Sequence, residues 1–351
     1  MKDFDFPTAT DERLARFQSL ARHHYDACSA YRNIVDRWFG PSALSGRLEE
    51  LPFLPAEIFK THALKSVPEE EVFKVMKSSG TTSQLRSQIY LDRDTARAQS
   101  KALSSIVAGV LGKKRRPMLV IDCPAQIANR ATFSARGAGI LGFSTFATKK
   151  FFALNDDMSI NHENIQAFLD CDADQSFLFG FTAIIWQEFL SKIDAHSFKE
   201  KAGAAVLLHG GGWKKLAAQN ISSQTFGARV KERLPFVQSV HDYYGMVEQT
   251  GSIFLGCDQG YLHTNPYNHI ICRDQNTLEP LPEGETGVLQ VMSTLPTSYP
   301  GFSILTEDLG RVIGPGETMT AGVTHASTVF EVHGRMAQAE IRGCSDTYQG
   351  R

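Results

Sequence analysis

Ala204–Trp213 reads AAVLLHGGGW, and further on Phe236–Gly245 reads FVQSVHDYYG. Each is an apolar run of strand length that empties directly into a glycine-containing loop. Pro117–Asp122 (PMLVID) and Phe177–Phe181 (FLFGF) are runs of the same kind. Continuous apolar runs, rather than alternating ones, are what strands buried on both faces of a parallel sheet require. Between them lie helical patterns: Asp94–Leu111, the small-residue stretch Ala135–Gly142, a segment opening at Thr182 and carrying Trp186, and a run ending near Leu234. Strands alternating with helices define an α/β class. In such sheets ligands bind where loops leave the carboxyl ends of the strands, which is where HGGGW and HDYYG stand.

Working outward toward the N-terminus, Met76–Gln88 reads MKSSGTTSQLRSQ. Val72–Met76 and Gln88–Leu91 read as short strands flanking it. Ser78, Ser79, Thr81, Thr82 and Ser83 surround Gly80, with Lys77 before and Arg86 after. Mobile hydroxyl donors, open backbone N–H groups and nearby cations suit a polyphosphate. The G-x-x-x-x-G-K-[ST] pattern is absent, so this is not a P-loop of that type, and a solvated Ser/Thr turn is the plain alternative. Earlier still, Thr10 is placed to cap a helix whose apolar face is Leu14, Phe17, Leu20, Ala21 and Tyr25. The proline-flanked LPFLPAEIFK (51–60) reads as a strap across a surface. From Ile253 onward short β runs separated by turns replace the α/β pattern: YLHTNPYNHIICRD, EGETGVLQVMS, ILTEDLGRVI and STVFEVHGR. The expected organisation is therefore a helical region and strap over 1–70, an α/β core over 71–252, and a smaller β-rich subdomain with a short tail over 253–351.

The composition narrows the function classes. The 351 residues are 42% hydrophobic and 21% charged, with a formal net charge of −2. No global basic field argues for nucleic acid or an anionic membrane. Six cysteines at 28, 123, 171, 257, 272 and 344 form no C-x-x-C pair, which fits a reducing, cytoplasmic setting better than a disulfide framework. No apolar run reaches the length of a membrane span, and the first residues show no apolar signal region.

Four loops need a common explanation: SSGTTS (78–83), HGGGW (209–213), YYGMVEQTG (243–251) and LTEDLGRV (305–312), followed by HGR (333–335). In this order they resemble the adenylate-forming enzymes, the superfamily of acyl-CoA synthetases and peptide-synthetase adenylation domains. Within it they look like the acyl-protein synthetase branch of LuxE type, related to phenylacetate–CoA ligases. The resemblance implies an adenylate-forming α/β core, with ATP and Mg²⁺ as cofactors. It makes Ser78, Ser79, Gly80, Thr81 and Thr82 the phosphate loop. Gly210, Gly211 and Gly212 would line the adenine pocket, with Tyr244 and Gly245 beside the ring. Glu248 would hold Mg²⁺ on the ATP phosphates, and Asp308 and Arg335 would lie at the ribose. Thr81, Glu248 and Cys344 are the residues given catalytic roles. Two positions depart from the usual pattern: Ser83 stands where glycine is common, and Val247 where a hydroxyl is common.

Only sixteen residues follow Arg335, so the mobile C-terminal domain common to such ligases is expected to be absent or vestigial. The resemblance points instead to Cys344 as acyl acceptor, with Arg342 favouring its thiolate. The implied function is activation of a carboxylic acid, by the resemblance a fatty acid, to acyl-AMP. Transfer to a thiol and on to an acyl-reductase partner would follow. Phe179, Phe181 and Trp213 are apolar candidates for the acyl site. An acid–CoA ligase, a non-catalytic nucleotide-binding component of an acyl-reductase complex and a small-molecule transferase are the alternatives. Cys257 with His263, followed by His269 and Cys272, also invites a zinc reading, though the spacing is irregular and strand packing is the simpler account.

Overall fold

The computed structural model describes residues 10–78, 85–128, 135–193, 203–211 and 221–336, with Phe198, Trp213, Leu216 and Gln219. The chain divides into two compact units. One takes the described residues of Val110–Tyr244 and Leu255–Leu262; the other takes those of Met1–Gly109, Gly245–Phe254 and His263–Ala339.

The first unit is built on a parallel sheet. Its strands run Ala147–Phe152, Arg116–Ile121, Gln175–Phe181, Ala204–Gly210 and Val237–Tyr244 in spatial order, all parallel. Met118 to Ile121, Phe177 to Phe179, Leu207 and Leu208 are fully buried, as continuous apolar runs require. Register pairs Phe181 with Gly210 and His209 with Asp242, so the carboxyl ends of three neighbouring strands lie side by side. The helix Ala135–Phe143 approaches the sheet closely at Gly139, where a Cβ would stand 3.2 Å from the Phe181 ring and 3.3 Å from that of Phe179. Beyond the Arg116–Ile121 strand, Arg136 of that helix pairs with the buried Asp122. Thr182, expected as a helix cap, does not act as one. It lies inside the helical turn, and its hydroxyl is committed to His209.

The second unit is antiparallel. Asn268–Arg273, Gly287–Ser293, Ser303–Thr320 and Val323–Arg335 pair in succession. The last two are much longer than the short runs expected from the sequence. Gly314, at φ +151°, falls where the register shifts, so Gly-Pro-Gly at 314–316 is carried as an irregularity inside one strand rather than ending it. The hairpin tip rests on the helix Arg93–Leu111: the Ala321 N–H donates to the Ser105 carbonyl at 2.8 Å. A Cβ at Gly109 would collide with the Met319 carbonyl.

The expected strap is more regular than its prolines suggest. Leu54–Pro55 adds to Ser303–Thr320 as a short parallel strand, Leu54 opposite Ile304 and Pro55 opposite Leu305. A helical turn, Ile58–Thr61, follows, anchored by the fully buried Phe59. The Lys74–Lys77 and Gln88–Leu91 strands pair antiparallel, as expected on either side of the hydroxyl loop. In the Thr10–Ala27 helix Phe17, Leu20 and Ala21 are buried, but His24 takes the inward place expected of Tyr25. The Pro296 carbonyl can only accept, so His24 Nε2 donates to it (3.2 Å) and Nδ1 accepts from Ser66 Oγ (2.8 Å). Burial holds this imidazole neutral, pushing its pKa down to about 3.

Candidate functional site

The parallel-sheet unit brings Gly210, Gly211, Trp213, Asp242 and Tyr244 to the carboxyl ends of adjacent strands. Gly211 has φ +68°, a conformation that favours glycine, and its carbonyl accepts the Thr182 N–H. At Gly210 the space left by the missing side chain is taken by the protein itself: a Cβ there would stand 2.6 Å from the Tyr243 ring. Gly212 lies outside the described residues. Tyr244 ends its strand half-buried.

Two residues here, His209 and Asp242, belong to motifs quoted above but were given no role. Trp213, read as an acyl-site candidate, instead donates its Nε1–H to Asp242 Oδ2 and packs its indole against His209 and Phe226. Phe179 and Phe181 are core side chains, Phe179 stacked on Phe143 at 4.4 Å between ring centroids. The second Asp242 oxygen, Oδ1, is enclosed without a hydrogen-bond partner among the described residues. Burial raises the Asp242 pKa to about 7, opposed by the Trp213 hydrogen bond and a backbone N–H. His209, hydrogen-bonded to Thr182 Oγ1 at 2.9 Å, is held neutral by burial, with a pKa of about 3.

The antiparallel unit gathers Ser78, Glu248, Asp308 and Arg335. Ser78 and Ser87 are tied twice, Ser78 N–H to the Ser87 carbonyl at 3.1 Å and Ser87 N–H to Ser78 Oγ at 3.0 Å. This closes the root of the hydroxyl loop. Ser87 in turn hydrogen-bonds through its side chain to Glu248. Ser79, Gly80, Thr81 and Thr82 lie outside the described residues, as does Cys344.

Glu248 is buried in the short turn Val247–Gln249 and fixed from several directions. Its carbonyl accepts from Tyr299 OH at 2.8 Å, and Gln99 Nε2 donates to the same tyrosine oxygen at 3.3 Å. Gln249 Nε2 reaches the Val291 and Gly301 carbonyls at 3.1 and 2.9 Å. Gly251, at φ +83°, is required because any Cβ would meet the Gln99 backbone at 2.4 Å. Burial raises the Glu248 pKa, while Ser87, a backbone N–H, Lys60 and Arg335 pull it down. Asp308 and Arg335 are cross-strand partners, with Arg335 Nε 3.3 Å from Asp308 Oδ1 and Nη1 3.8 Å from Glu307 Oε2.

Lys60, Ser87 and Glu307 escaped the sequence reading. Ser87 lay within the quoted hydroxyl stretch and was legible as one more hydroxyl. Lys60 and Glu307 carried no local signal, because what defines them is the Pro55–Leu305 pairing that places the strap beside Glu307.

Among the described residues no group of three or more His, Cys, Asp or Glu side chains is arranged to hold a metal ion. His263 instead meets Ser327 Oγ (3.2 Å) and the Cys272 thiol the Gly310 carbonyl (3.3 Å). A lone buried carboxylate still fits Mg²⁺ that arrives on a nucleotide, since such ions keep few protein ligands and use the phosphates for the rest. No helix among the described residues is long and apolar enough to cross a membrane.

The architecture is that of the adenylate-forming ligases. A crystal structure of 2-hydroxyisobutyryl-CoA ligase in an open conformation, with 2-HIB-AMP and CoA, superposes with a TM-score of 0.68 at 18% identity, covering 96% of this chain and 78% of that one. The same ligase in its thioesterification state gives 0.66 at 18% identity, over 95% and 70% of the two chains. The family model "Acyl-protein synthetase, LuxE" matches residues 5–350, and the chain belongs to that family. It is 23% identical over 297 residues to a long-chain-fatty-acid–luciferin-component ligase of Aliivibrio fischeri, covering 82% of this chain and 76% of the relative. A ligase of the same name from Vibrio harveyi is 24% identical over 337 residues, 92% and 84% of the two chains. The resemblance read from the loops, the α/β fold class and the acyl-protein synthetase assignment are borne out.

Proposed function

We propose that the protein activates a carboxylic acid with ATP and passes the acyl group to a thiol. In the first step a carboxylate oxygen of the substrate attacks the α-phosphorus of ATP. The bond from that phosphorus to the α,β-bridging oxygen breaks, giving acyl-AMP and pyrophosphate. In the second a thiolate attacks the acyl carbon and the bond to AMP breaks. Both steps need positioning and charge stabilisation rather than covalent help in activating the acid.

The observation that carries this reading is the convergence on Glu248. The root of the hydroxyl loop reaches it through Ser87, and the charges of Arg335 and Lys60 bear on it from two other segments. Ser78 and the loop it opens would hold phosphate oxygens, Asp308 would accept from ribose hydroxyls, and Tyr244 with Gly210, Gly211 and Gly212 would flank the adenine. Glu248 would hold Mg²⁺, which supplies charge neutralisation at the phosphates. The two relatives are named for a long-chain fatty acid, which makes a fatty acid the first substrate to try. Cys344 is the proposed acyl acceptor, with an acyl reductase as the partner that then takes the acyl group.

The test is acid-dependent ATP–pyrophosphate exchange over short, long-chain and aromatic acids. Exchange restricted to one acid class is the expected result. Acid label should then remain on the protein after denaturation and be lost in Cys344→Ala, with exchange retained. No exchange with any acid, in protein that binds ATP, would sink the adenylation reading. Strict dependence of the second step on CoA would replace the protein thiol with CoA.

A further inference from the structure

We propose that Lys60, on the strap near the N-terminus, is a nucleotide-contacting residue whose ammonium binds the polyphosphate beside Glu248. The identity of the nucleotide and the metal ion at Glu248 are taken from the adenylation reading; the placement of Lys60 rests on the antiparallel unit itself.

The strap delivers Lys60 by a defined route. Leu54 and Pro55 pair with Ile304 and Leu305, and the Ala56 N–H donates to the Leu305 carbonyl at 3.0 Å. The chain then turns into Ile58–Thr61 two residues short of Glu307 on the partner strand. Phe59 is driven into the core edge-on to Tyr299, with ring centroids 6.3 Å apart. Tyr299 is the residue whose hydroxyl holds the Glu248 carbonyl. One buried aromatic contact therefore sets both Lys60 and the Glu248 turn. Burial of the Phe59 ring holds the turn in place.

The electrostatics follow from that placement. Lys60 and Arg335 both bear on Glu248 and on Glu307. Lys60 also lies 3.6 Å from Glu57 one turn earlier, but Glu57 is largely solvent-exposed, and such a pair is worth little. Among the described residues four carboxyl groups (Glu57, Glu248, Glu307 and Asp308) thus face two cations. That balance suits a divalent cation arriving together with a polyanion. With a metal ion on the Glu248 carboxylate, a phosphate chain bound to that ion would bring further negative charge to the Lys60 ammonium, which also bears on Glu307. A lysine serves phosphate as a point charge and needs no fixed fork geometry.

Binding measured without any acid tests this, by equilibrium dialysis of the full chain with Mg·ATP and, separately, adenosine. Lys60→Ala should weaken ATP binding by about tenfold or more and leave adenosine unchanged, with Lys60→Arg recovering most of the loss. Retained adenosine binding also shows that the variant is folded. Equal affinity of wild type and Lys60→Ala for ATP, or an equal loss for ATP and adenosine, would overturn the proposal. Wild-type protein that binds ATP in this Lys60-dependent way but exchanges pyrophosphate with no acid would refute adenylation and leave the contact standing.

Discussion

Asp242 and Glu248 lie six residues apart in one motif, HDYYGMVEQ, yet they belong to different units and meet opposite surroundings. Glu248 is buried and Asp242 half-buried, and both have raised pKa values. At Asp242, at the end of a parallel strand, the opposing groups among the described residues are neutral donors: the indole N–H of Trp213 and a backbone N–H. Glu248, in the antiparallel unit, has a hydroxyl, a backbone N–H and the charges of two basic side chains, one from the strap and one from the last strand. A carboxyl with only neutral partners keeps its proton to higher pH and serves as a hydrogen-bonding group. At Glu248 the two cations offset part of the desolvation that raises its pKa. The same short stretch of chain thus supplies two carboxyls with different neighbours.

The sharpest way to break that comparison is to remove the Glu248 charge while keeping its shape. Glu248→Gln is expected to lower acid-dependent exchange at least about a hundredfold, roughly 3 kcal/mol of transition-state stabilisation. Its thermal midpoint should move little, because the Tyr299 and Gln249 contacts are made by backbone and neighbouring side chains. If Asp242→Asn abolished exchange as fully as Glu248→Gln, the two carboxyls would not differ as described.

Asp242→Asn should show itself in stability instead. The folded carboxyl holds its proton to about pH 7, while an unfolded aspartate loses it near 4. Between those values the folded chain binds more protons, so this group's contribution to stability falls as pH rises. The asparagine variant should therefore lose less stability than wild type between pH 4.5 and 8, by about 2 kcal/mol, since the side chain retains about a quarter of its exposure. Chemical denaturation at the two pH values measures it, and parallel profiles would contradict the assignment.

Trp213→Phe is expected to have the smallest effect. It deletes the donor to Asp242 and keeps most of the ring contact with Phe226. The cost should be about 1 kcal/mol, larger at pH 8 than at pH 5 because the lost hydrogen bond favours the ionised form. A loss independent of pH would place the role of Trp213 in packing alone.

Much of the molecule was open to a reader of the chain. Apolar runs ending in HGGG and HDYYG announce buried parallel strands with loops at their carboxyl ends, because strand burial and turn formation depend on residues a few positions apart. The order of SSGTTS, HGGGW, YYGMVEQ and TEDLGR carried the family for the same reason: each motif is contiguous. The hairpin of Ser303–Thr320 with Val323–Arg335 reads in the sequence as two short runs, ILTEDLGRVI and STVFEVHGR. Its Gly-Pro-Gly looks like an ending, and only pairing with a second long strand carries the chain through it.

The sequence by itself determined the α/β class, the parallel strands, the family and which loops to examine. Tertiary structure alone decided that His24 rather than Tyr25 faces inward, that Thr182 serves His209, that Trp213 serves Asp242, and that Lys60 stands with Glu248, Glu307 and Arg335. The physical reason is range. Periodicity and turn chemistry act within one or two turns of chain. Burial and charge act through space, and they join residue 60 to residues 248, 307 and 335 only after the strap has paired with its strand.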